Sequence, residues 1–453
     1  MKVAVVGGGI SGLAAAWRLR GAGCEVVLLE ADPCHGGKVR SEAVDGYLVE
    51  HGPNGFLDSR RQVLELARDA GLGARITQAD LAAARRYLYL DGALKEAPHG
   101  PASFLAGSLL SARGKARMLA EPFVRARRST EDESVLDFAT RRIGREAAER
   151  LVDPMVTGIF AGDTSRLSLR AAFPRLHRLE QDHGGLMRGM VAMMRARKAG
   201  LDSASGPAGT LTSFPGGLGE LIVALASGLG QAAHTARPVR ALERIGHRWR
   251  VRAAGGEPIE ADAVVLATPT DVTARLVASV APGAVGPLED IRYAPAAVVA
   301  LGFPVGGLPR PLDGFGYLVP SGERRRVLGV LWSSTIFPGR APAGHALIRT
   351  IVGGARHPEL LDLDDEALIE VVVTELSVTM GGALPAPVFA RVVRWPQGIP
   401  QYELGHLDRV AAAEAALRPT GGLHLAGNGL YGVSLADCVA RADALPAIVL
   451  HTD

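Results

Sequence analysis

The spacing of three glycines near the start of the chain restricts its possible folds more than any other feature. Gly7, Gly9 and Gly12 follow an apolar run at 3–6 and precede an Ala-rich stretch. Between a buried strand and a helix, such glycines allow a tight turn, close approach of a pyrophosphate, and close packing of the helix on the strand. Glu30 stands eighteen residues after Gly12, close to the ~20 residues expected for an acid that binds a ribose hydroxyl. The sequence therefore predicts a Rossmann-type dinucleotide-binding unit.

The residues after this acid indicate which dinucleotide is bound. Gly36 and Gly37 precede Lys38 and Arg40, so the backbone can pass close under a cofactor while two cations offset its charge. This segment resembles the FAD-binding amine-oxidase superfamily, in which an acid is followed shortly by a Gly-Gly-Arg/Lys motif. The turn at 50–56 resembles the same family's segment at the flavin. The resemblance implies FAD as the cofactor.

Composition and charge exclude several classes of protein. The chain has 453 residues, 47% hydrophobic and 21% charged, which predicts two or three packed globular units. A net charge of +3 gives no indication of a nucleic-acid partner. The three cysteines cannot form a disulfide framework, and no spacing indicates a metal site. No apolar stretch reaches the ~18 residues needed to span a bilayer, so we expect a cytoplasmic protein whose membrane contact is peripheral.

The strand patterns predict that the nucleotide unit is assembled from separate parts of the chain. Apolar strands at 264–267 and 424–427 are expected to join the N-terminal strand, and the segment 427–437 opens a final helix. That helix would direct a second N-terminal dipole toward the cofactor. Residues 295–355 alternate apolar strands with Gly/Pro turns, which predicts a second, mostly antiparallel sheet. The predicted fold class is α/β.

Three segments between these units have patterns of their own. Residues 85–98 alternate on either side of Asp91-Gly92, which predicts a β-hairpin. Residues 101–128 combine apolar and basic positions at helical spacing, as in helices that lie on anionic bilayers. Residues 185–198 carry a methionine stripe, and such a stripe more often packs in a core than binds a ligand.

Several longer strings are similar to the protoporphyrinogen oxidase family, and together they cover nearly the whole chain. The most specific are GIFAGDTSRLSLRAAFPRL at 158–176, GFGYLVPSGERRRVLGVLWSSTIFP at 314–338 and RWPQGIPQYELGHLDRV at 394–410. The resemblance implies an oxygen-dependent flavoenzyme of haem biosynthesis that oxidises protoporphyrinogen IX to protoporphyrin IX, with hydride transfer to FAD N5 and hydrogen peroxide as the second product. The implied partners are a tetrapyrrole substrate, molecular oxygen and the surface of the cytoplasmic membrane, and a homodimer is left open.

The resemblance also implies a division of the chain into three parts. A discontinuous, Rossmann-type FAD-binding domain takes residues 1–76, 213–272 and 394–453. An α+β substrate-binding domain takes residues 77–84, 199–212 and 273–393. A helical, membrane-associating region takes residues 85–198.

The positions that match the family's FAD contacts lie in glycine turns, at strand ends and at helix starts. They are Gly7, Gly8, Gly9, Ile10, Ser11, Gly12, Glu30, Ala31, Gly37, Lys38, Gly52, Pro53, Asn54, Gly55, Val239, Thr268, Trp395, Gly427, Val433, Ser434 and Leu435. One departure occurs at 428–431, where relatives often have a small, an aromatic and an acidic residue. This departure concerns the flavin edge and leaves the class unchanged.

The positions that match the family's substrate contacts combine one cation with apolar groups. Arg86 matches the arginine that holds a substrate propionate, a task that suits a planar guanidinium fork. The positions that match the sandwich around the macrocycle are Gly158, Phe315, Leu318 and Ile351. No catalytic base is assigned, because in flavin chemistry the protein mainly orients and desolvates the substrate. His51 and Asp163 are weak candidates.

Three alternatives stay open at the level of sequence. A coproporphyrinogen III oxidase of the same fold would bind four propionates instead of two, and members of that branch tend to lack an arginine at the position of Arg86. An amine oxidase or a carotenoid desaturase would share only the nucleotide domain. A non-catalytic binding or escort protein would use the same nucleotide fold without flavin chemistry.

Overall fold

A parallel five-stranded sheet is assembled from three distant parts of the chain. The computed structural model describes residues 1–129, 131–198 and 209–451. Within this sheet the strands follow the order Ala233–His234, Glu25–Leu29, Lys2–Val6, Ala263–Leu266 and Leu423–Leu425. The sheet is therefore discontinuous, as the strand pattern predicts.

Both faces of the parallel sheet are covered, which explains why its strands are apolar at every position. Val3 and Val5 face one layer, whereas Ala4 and Val6 face the other. The first layer consists of the helices Ile10–Gly21, Arg61–Asp69, Gly219–Leu229 and Leu435–Leu450. The second consists of the strands Val239–Ile245, Arg248–Ala253 and Ile259–Ala261 and the helices Thr270–Val277, Val285–Glu289 and His406–Leu417.

A second sheet of seven strands is mostly antiparallel, as predicted. Its strands follow the order Phe389–Pro400, Tyr293–Pro304, His345–Gly353, Val327–Trp332, Gly316–Leu318, Tyr87–Leu90 and Ala93–Glu96. One face packs against the helix Asp365–Thr379, chiefly through Leu368, Val372 and Leu376. The opposite face is turned toward the segment 47–55, which follows the strand Ser41–Val44 and includes the strand Tyr47–Glu50. A small sheet formed by Phe56–Leu57, Leu211–Ser213 and Thr77–Gln78 lies beside that segment.

The predicted hairpin is present and belongs to the seven-stranded sheet. Asp91 and Gly92 have φ of 54° and 77°, as a two-residue hairpin turn requires. The strand Tyr87–Leu90 pairs in parallel with Gly316–Leu318. The predicted division instead placed this hairpin at the start of the helical region 85–198. Of the predicted substrate-domain segment 199–212, residues 199–208 lie outside the described residues.

The helical region consists of short helices. Their bounds are Pro101–Ala106, Ala112–Leu119, Val135–Ile143, Arg145–Ala147, Asp153–Phe160, Leu169–Ala172, Pro174–His183 and Leu186–Lys198. The segment 101–128, whose spacing predicts helical structure, is divided between the helices Pro101–Ala106 and Ala112–Leu119 and a short turn of 3-10 helix at Glu121–Phe123. Ser111 starts a new helix by accepting a hydrogen bond from the amide of Gly114 at 3.0 Å, and Pro122 cannot continue it. Along the described parts of the chain, none of the helices is long and apolar enough to cross a bilayer.

A buried ion pair holds these short helices together. Arg142 is fully buried and pairs with the carboxylate of Glu121. Glu180 accepts from Arg141 at 2.7 Å. The methionine stripe on Leu186–Lys198 is not core, because Met190 and Met194 are 52% and 63% exposed.

Candidate cofactor and substrate site

The first glycine turn has the geometry that its spacing predicts. Gly7 has φ of +104°, and a Cβ on it would lie 2.8 Å from the carbonyl oxygen of Ala267. A Cβ on Gly12 would overlap the carbonyl oxygen of Gly7, so only glycine lets the helix that includes Ile10 and Ser11 pack on the strand. A Cβ on Gly9 would meet no described protein atom nearer than 4.0 Å. The outer side of the turn is therefore open.

The second glycine pair and the acid lie against this turn. The amide of Gly8 donates to Glu30 Oε2 at 2.5 Å, and the amide of Gly36 donates to the carbonyl of Gly8 at 2.8 Å. A Cβ on Gly37 would lie 3.4 Å from the Cα of Gly9. Ala31 follows the acid in an exposed turn. The predicted FAD contacts from the first forty residues thus meet at one place.

A second helix N-terminus reaches the same place. Ser434 caps the helix Leu435–Leu450 by accepting from the amide of Asp437 at 3.1 Å, and Val433 directly precedes the cap. On that helix, the thiol of Cys438 bonds to the hydroxyl of Ser11, and burial raises the pKa of the thiol to about 11. Two helices therefore direct their N-termini to one region, which favours an anionic ligand.

The carboxyl ends of the parallel strands lie beside the two glycine turns and the second helix N-terminus. We call this region the cofactor edge. A Cβ on Gly7 would lie 3.3 Å from Thr268 Cγ2, and one on Gly427 would lie 3.6 Å from the carbonyl oxygen of Thr268. Val239 begins a strand just after Arg237, whose amide donates to the carbonyl of Glu30 at 2.8 Å. Open α/β sheets bind their ligands at this end of the strands.

Lys38 is a half-buried cation at the cofactor edge. Burial lowers the pKa of its ammonium to about 8, and the carboxylate of Asp271 partly opposes this effect. The ammonium lies 5.4 Å from the centre of the Tyr293 ring. A perturbed lysine in such a position is a candidate functional group.

The turn at 52–55 connects the cofactor edge to the seven-stranded sheet. A Cβ on Gly52 would overlap the carbonyl oxygen of Lys38, and one on Gly55 would lie 2.7 Å from the carbonyl oxygen of Thr212. Trp395 Nε1 donates to the carbonyl of His51 at 2.7 Å. Pro53 and Asn54 lie half-buried at the tip, and the buried Nδ2 of Asn54 has no hydrogen-bond partner among the described residues.

A buried charge cluster behind this turn was missed by the sequence analysis. Glu50 accepts from Ser41 Oγ at 2.6 Å and lies 3.3 Å from Arg340 Nη1. Arg349 donates to the carbonyl of Gly52. Burial raises the pKa of Glu50 and lowers the pKa of Arg349 to about 10. The only sequence signal was an arginine within the apolar strand at 345–353.

These features match the chemistry of FAD. The open side of Gly9 and the two helix N-termini suit a pyrophosphate, and Glu30 suits a ribose hydroxyl. The unpartnered amide of Asn54 and the ammonium of Lys38 supply donors on the side nearer the large sheet. The arrangement would bind FAD through backbone amides and a few polar side chains.

One face of the seven-stranded sheet brings predicted substrate positions into a row. Leu318 pairs with Gly329, and Gly329 pairs with Ile351. Residues paired across neighbouring strands project to the same face, so Leu318 and Ile351 flank a position without a side chain. Trp395 and Arg349 share this face by register. The row of Leu318, Gly329 and Ile351 is therefore apolar, and Arg349 beside it contacts the turn at 52–55.

A short helix narrows the space above this row. A Cβ on Gly158 would lie 3.0 Å from Leu318 Cδ2. The helix Asp153–Phe160 is fixed by Arg356, which donates to Asp153 and to the carbonyl of Val319, each at 2.9 Å. Gly158 and Leu318, two of the positions predicted to contact a macrocycle, are thus in direct contact with each other.

The guanidinium of Arg86 lies 5.3 Å from the centre of the Phe315 ring. Two further predicted substrate positions are therefore adjacent. Phe315 packs against the cluster around Ile336 and Phe337. The neighbouring Arg85 is ion-paired, whereas Arg86 is exposed and has no carboxylate partner among the described residues.

The two candidate bases, His51 and Asp163, form ordinary polar contacts with neighbouring residues. His51 Nε2 lies 2.9 Å from Glu42 Oε2. Asp163 is exposed and accepts from the amide of Ser165 at 2.8 Å. Across the described ranges, His, Cys, Asp and Glu side chains form no group that could hold a metal ion.

Comparisons with known proteins place this geometry in a family. The family described as flavin containing amine oxidoreductase matches residues 10–442. The chain is 34% identical to the chloroplastic protoporphyrinogen oxidase of Oryza sativa subsp. japonica, covering 97% of this chain and 86% of the relative. It is 29% identical to the coproporphyrinogen III oxidase of Bacillus subtilis (strain 168), covering 98% and 96%. A crystal structure from Exiguobacterium sp. 255-15, provisionally assigned as a protoporphyrinogen oxidase, superposes with a TM-score of 0.84 at 26% identity, covering 100% and 99%.

The geometry and the relatives agree on cofactor and reaction class. The cofactor is FAD, as the glycine spacing and the second glycine pair predict. The alternative of a non-catalytic escort protein is wrong, because the family and its relatives are oxidoreductases. The chain is an FAD-dependent oxidoreductase and belongs to the family of flavin-containing amine oxidoreductases.

Proposed function

We propose that the protein oxidises protoporphyrinogen IX to protoporphyrin IX in haem biosynthesis, with molecular oxygen as the final acceptor. The observation that carries this proposal is the pair formed by Arg86 and Phe315 beside the apolar row of the large sheet. An exposed guanidinium without a carboxylate partner suits a substrate propionate. The adjacent aromatic and aliphatic groups suit a flat tetrapyrrole.

The residues have distinct roles in this proposal. Leu318, Ile351 and Gly158 contact the macrocycle and exclude water from it, and Arg86 fixes its orientation through a propionate. When bound, FAD supplies the two-electron acceptor, and oxygen restores it with release of hydrogen peroxide. Three such oxidations remove the six electrons that separate the two tetrapyrroles.

The alternative substrate is coproporphyrinogen III, which is named for one of the relatives. Its two additional propionates would need further cations around the same site. Arg86 is the one cation that the family resemblance implies for a substrate propionate. We therefore favour the substrate with two propionates.

The decisive experiment is anaerobic flavin reduction by each porphyrinogen side by side. Protoporphyrinogen should bleach the flavin absorption at least tenfold faster than coproporphyrinogen at equal, subsaturating concentration. Faster bleaching by coproporphyrinogen would establish the alternative. No bleaching by either would remove porphyrinogens as substrates.

We also propose that the protein, cytoplasmic in location, docks peripherally on an anionic membrane. Phe123 is 89% and Leu119 50% exposed, and exposed arginines lie along the same segment at Arg113, Arg125 and Arg128. Large exposed apolar groups among basic residues are typical of membrane-surface contacts.

Vesicle flotation tests this docking. The protein should float with vesicles that contain phosphatidylserine at low salt, and Phe123→Ser should weaken flotation. Val223→Ser is the matched control, because Val223 is 65% exposed on a helix of the cofactor side. A protein that stays at the bottom of the gradient at both low and high salt would disprove the proposal.

A further inference from the structure

Tyr402 joins two parts of the loop that leads into the final helix. Its side chain is buried, with 3% exposure. Its hydroxyl donates to the carbonyl of Asn428 at 2.6 Å and accepts from the amide of Gly432 at 2.7 Å. Both peptide groups belong to the segment 427–434, which we call the flavin loop because it carries Gly427, Val433 and Ser434. One side chain from outside thus bridges the loop's two ends.

The hydroxyl is held in a fixed position by packing on the ring. The Tyr402 ring stacks on His406, with centres 3.9 Å apart and planes 16° from parallel. It also contacts the ring of Phe160 at 5.9 Å. Burial raises the pKa of Tyr402 well above its usual value, so the hydroxyl stays protonated and can donate and accept at once.

The flavin loop is also restrained through Tyr431, whose hydroxyl donates to Glu414 at 2.5 Å, but its backbone forms few hydrogen bonds within the loop among the described residues. Gly427 and Gly432 have φ of +105° and +122°, conformations open mainly to glycine. The backbone bond from the amide of Leu430 to the carbonyl of Gly427 is long, at 3.4 Å. A loop with two such glycines samples many shapes unless an outside group restrains it.

We propose that Tyr402 is a positioning residue for FAD, because its hydroxyl keeps the flavin loop in the shape that binds the cofactor. The restraint would explain how the chain tolerates its departure from the family pattern at 428–431. A preformed loop avoids the ordering entropy that binding would otherwise cost. This inference concerns the cofactor and does not depend on the proposed porphyrinogen.

The test compares two tyrosine-to-phenylalanine variants by titrating each apoprotein with FAD. Tyr402→Phe removes the bridging hydroxyl and keeps the stacked ring. Tyr317→Phe is the control, because Tyr317 is equally buried and its hydroxyl lies 2.5 Å from Thr379, on the helix-covered face of the large sheet. Tyr402→Phe should raise the FAD dissociation constant about tenfold, which corresponds to about 1.4 kcal/mol. The control should change it less than about twofold and leave the flavin absorption spectrum unchanged.

Two results would overturn the proposal: an unchanged dissociation constant in Tyr402→Phe, or an equal rise in both variants. If Tyr402→Phe does not fold, hydrogen exchange of the wild-type apoprotein decides. Slow exchange of the Gly432 amide before FAD is added supports a preformed loop. Exchange as fast as that of an exposed loop contradicts it.

Discussion

The cofactor edge is formed mainly by closely packed backbone atoms, whereas the apolar face of the large sheet is formed by side chains. At the cofactor edge, glycines bring backbone against backbone, and a Cβ on Gly12 or Gly52 would overlap a carbonyl oxygen. On the sheet face, Leu318 and Ile351 present ordinary side chains on either side of Gly329. A backbone atom cannot rotate away from a new group, whereas apolar side chains can be exchanged for others of similar volume.

If the sheet face binds the substrate as we propose, this difference indicates where substrate specificity can change. The cofactor edge tolerates almost no substitution of its glycines, because a new side chain would overlap backbone atoms. On the sheet face, side chains can be substituted one at a time. The relatives are consistent with this, because one is named for protoporphyrinogen and the other for coproporphyrinogen at similar identity. We expect substitutions at the two regions to differ in kind.

The largest expected effect is at the cofactor edge. Gly12→Ala should abolish FAD binding and reduce the folded yield, because its Cβ overlaps the carbonyl of Gly7. Gly21→Ala is the matched control, since a Cβ there meets nothing within 4 Å at the end of the same helix. The ratio of flavin to protein absorbance and far-UV circular dichroism measure the outcome. A fully folded Gly12→Ala protein that still binds FAD would contradict the claim that the cofactor edge does not tolerate this substitution.

The second-largest expected effect is a loss of folding stability at acidic pH, caused by two buried histidines near the parallel sheet. Burial lowers the pKa values of His406 and His424 to about 4, below the ~6.5 of an exposed histidine. Between these values the unfolded chain binds more protons, so stability is present above pH ~6.5 and is lost as the pH falls toward 4, by up to about 1.4 kcal/mol per pH unit for each histidine. Denaturant unfolding at pH 7 and pH 5, followed by flavin fluorescence, checks this.

A variant separates these histidines from other acid-sensitive groups. His424→Gln should remove about half of the pH dependence in that window. His99→Gln is the control, because His99 is exposed. Equal pH dependence in His424→Gln and the parent protein would show that this histidine is not responsible.

Arg86 tests the substrate side without touching the cofactor. A charge-assisted hydrogen bond contributes about 1.5–3 kcal/mol, so Arg86→Ala should raise KM for protoporphyrinogen roughly tenfold to a hundredfold. FAD content should not change, and Arg86→Lys should recover only part of the loss. Steady-state kinetics with flavin occupancy measured on the same sample gives the answer. Wild-type KM in Arg86→Ala would mean that the propionate is held elsewhere.

The smallest expected effect is on the sheet face. Ile351→Val removes one methylene group from a half-buried side chain, so it should cost less than about 1 kcal/mol of stability. FAD content should stay complete, and kcat/KM should change by only a few-fold. Thermal unfolding and kinetics on both porphyrinogens measure this. Loss of flavin from Ile351→Val would show that the two regions are not separable.

The features predicted well from sequence are those whose residues are close together in the chain. The glycine turn and the Asp91-Gly92 hairpin each depend on a few adjacent residues with special backbone requirements. The bridge from Tyr402 to Asn428 and the contact from Arg349 to Gly52 join distant segments, and no local pattern encodes them. The helical spacing over 101–128 did not show where the helices there begin and end, because the cap at Ser111 and Pro122 set those boundaries.

The order of strands in the parallel sheet has a consequence for how the protein is made. Lys2–Val6 is synthesised before Ala263–Leu266 and Leu423–Leu425, and these later strands complete its sheet. Synthesis proceeds at roughly 5–20 residues per second, so the first strand and its glycine turn wait tens of seconds for their partners. During that interval the apolar edge is exposed and FAD has no finished site. We therefore expect cofactor capture to follow synthesis of Leu423–Leu425.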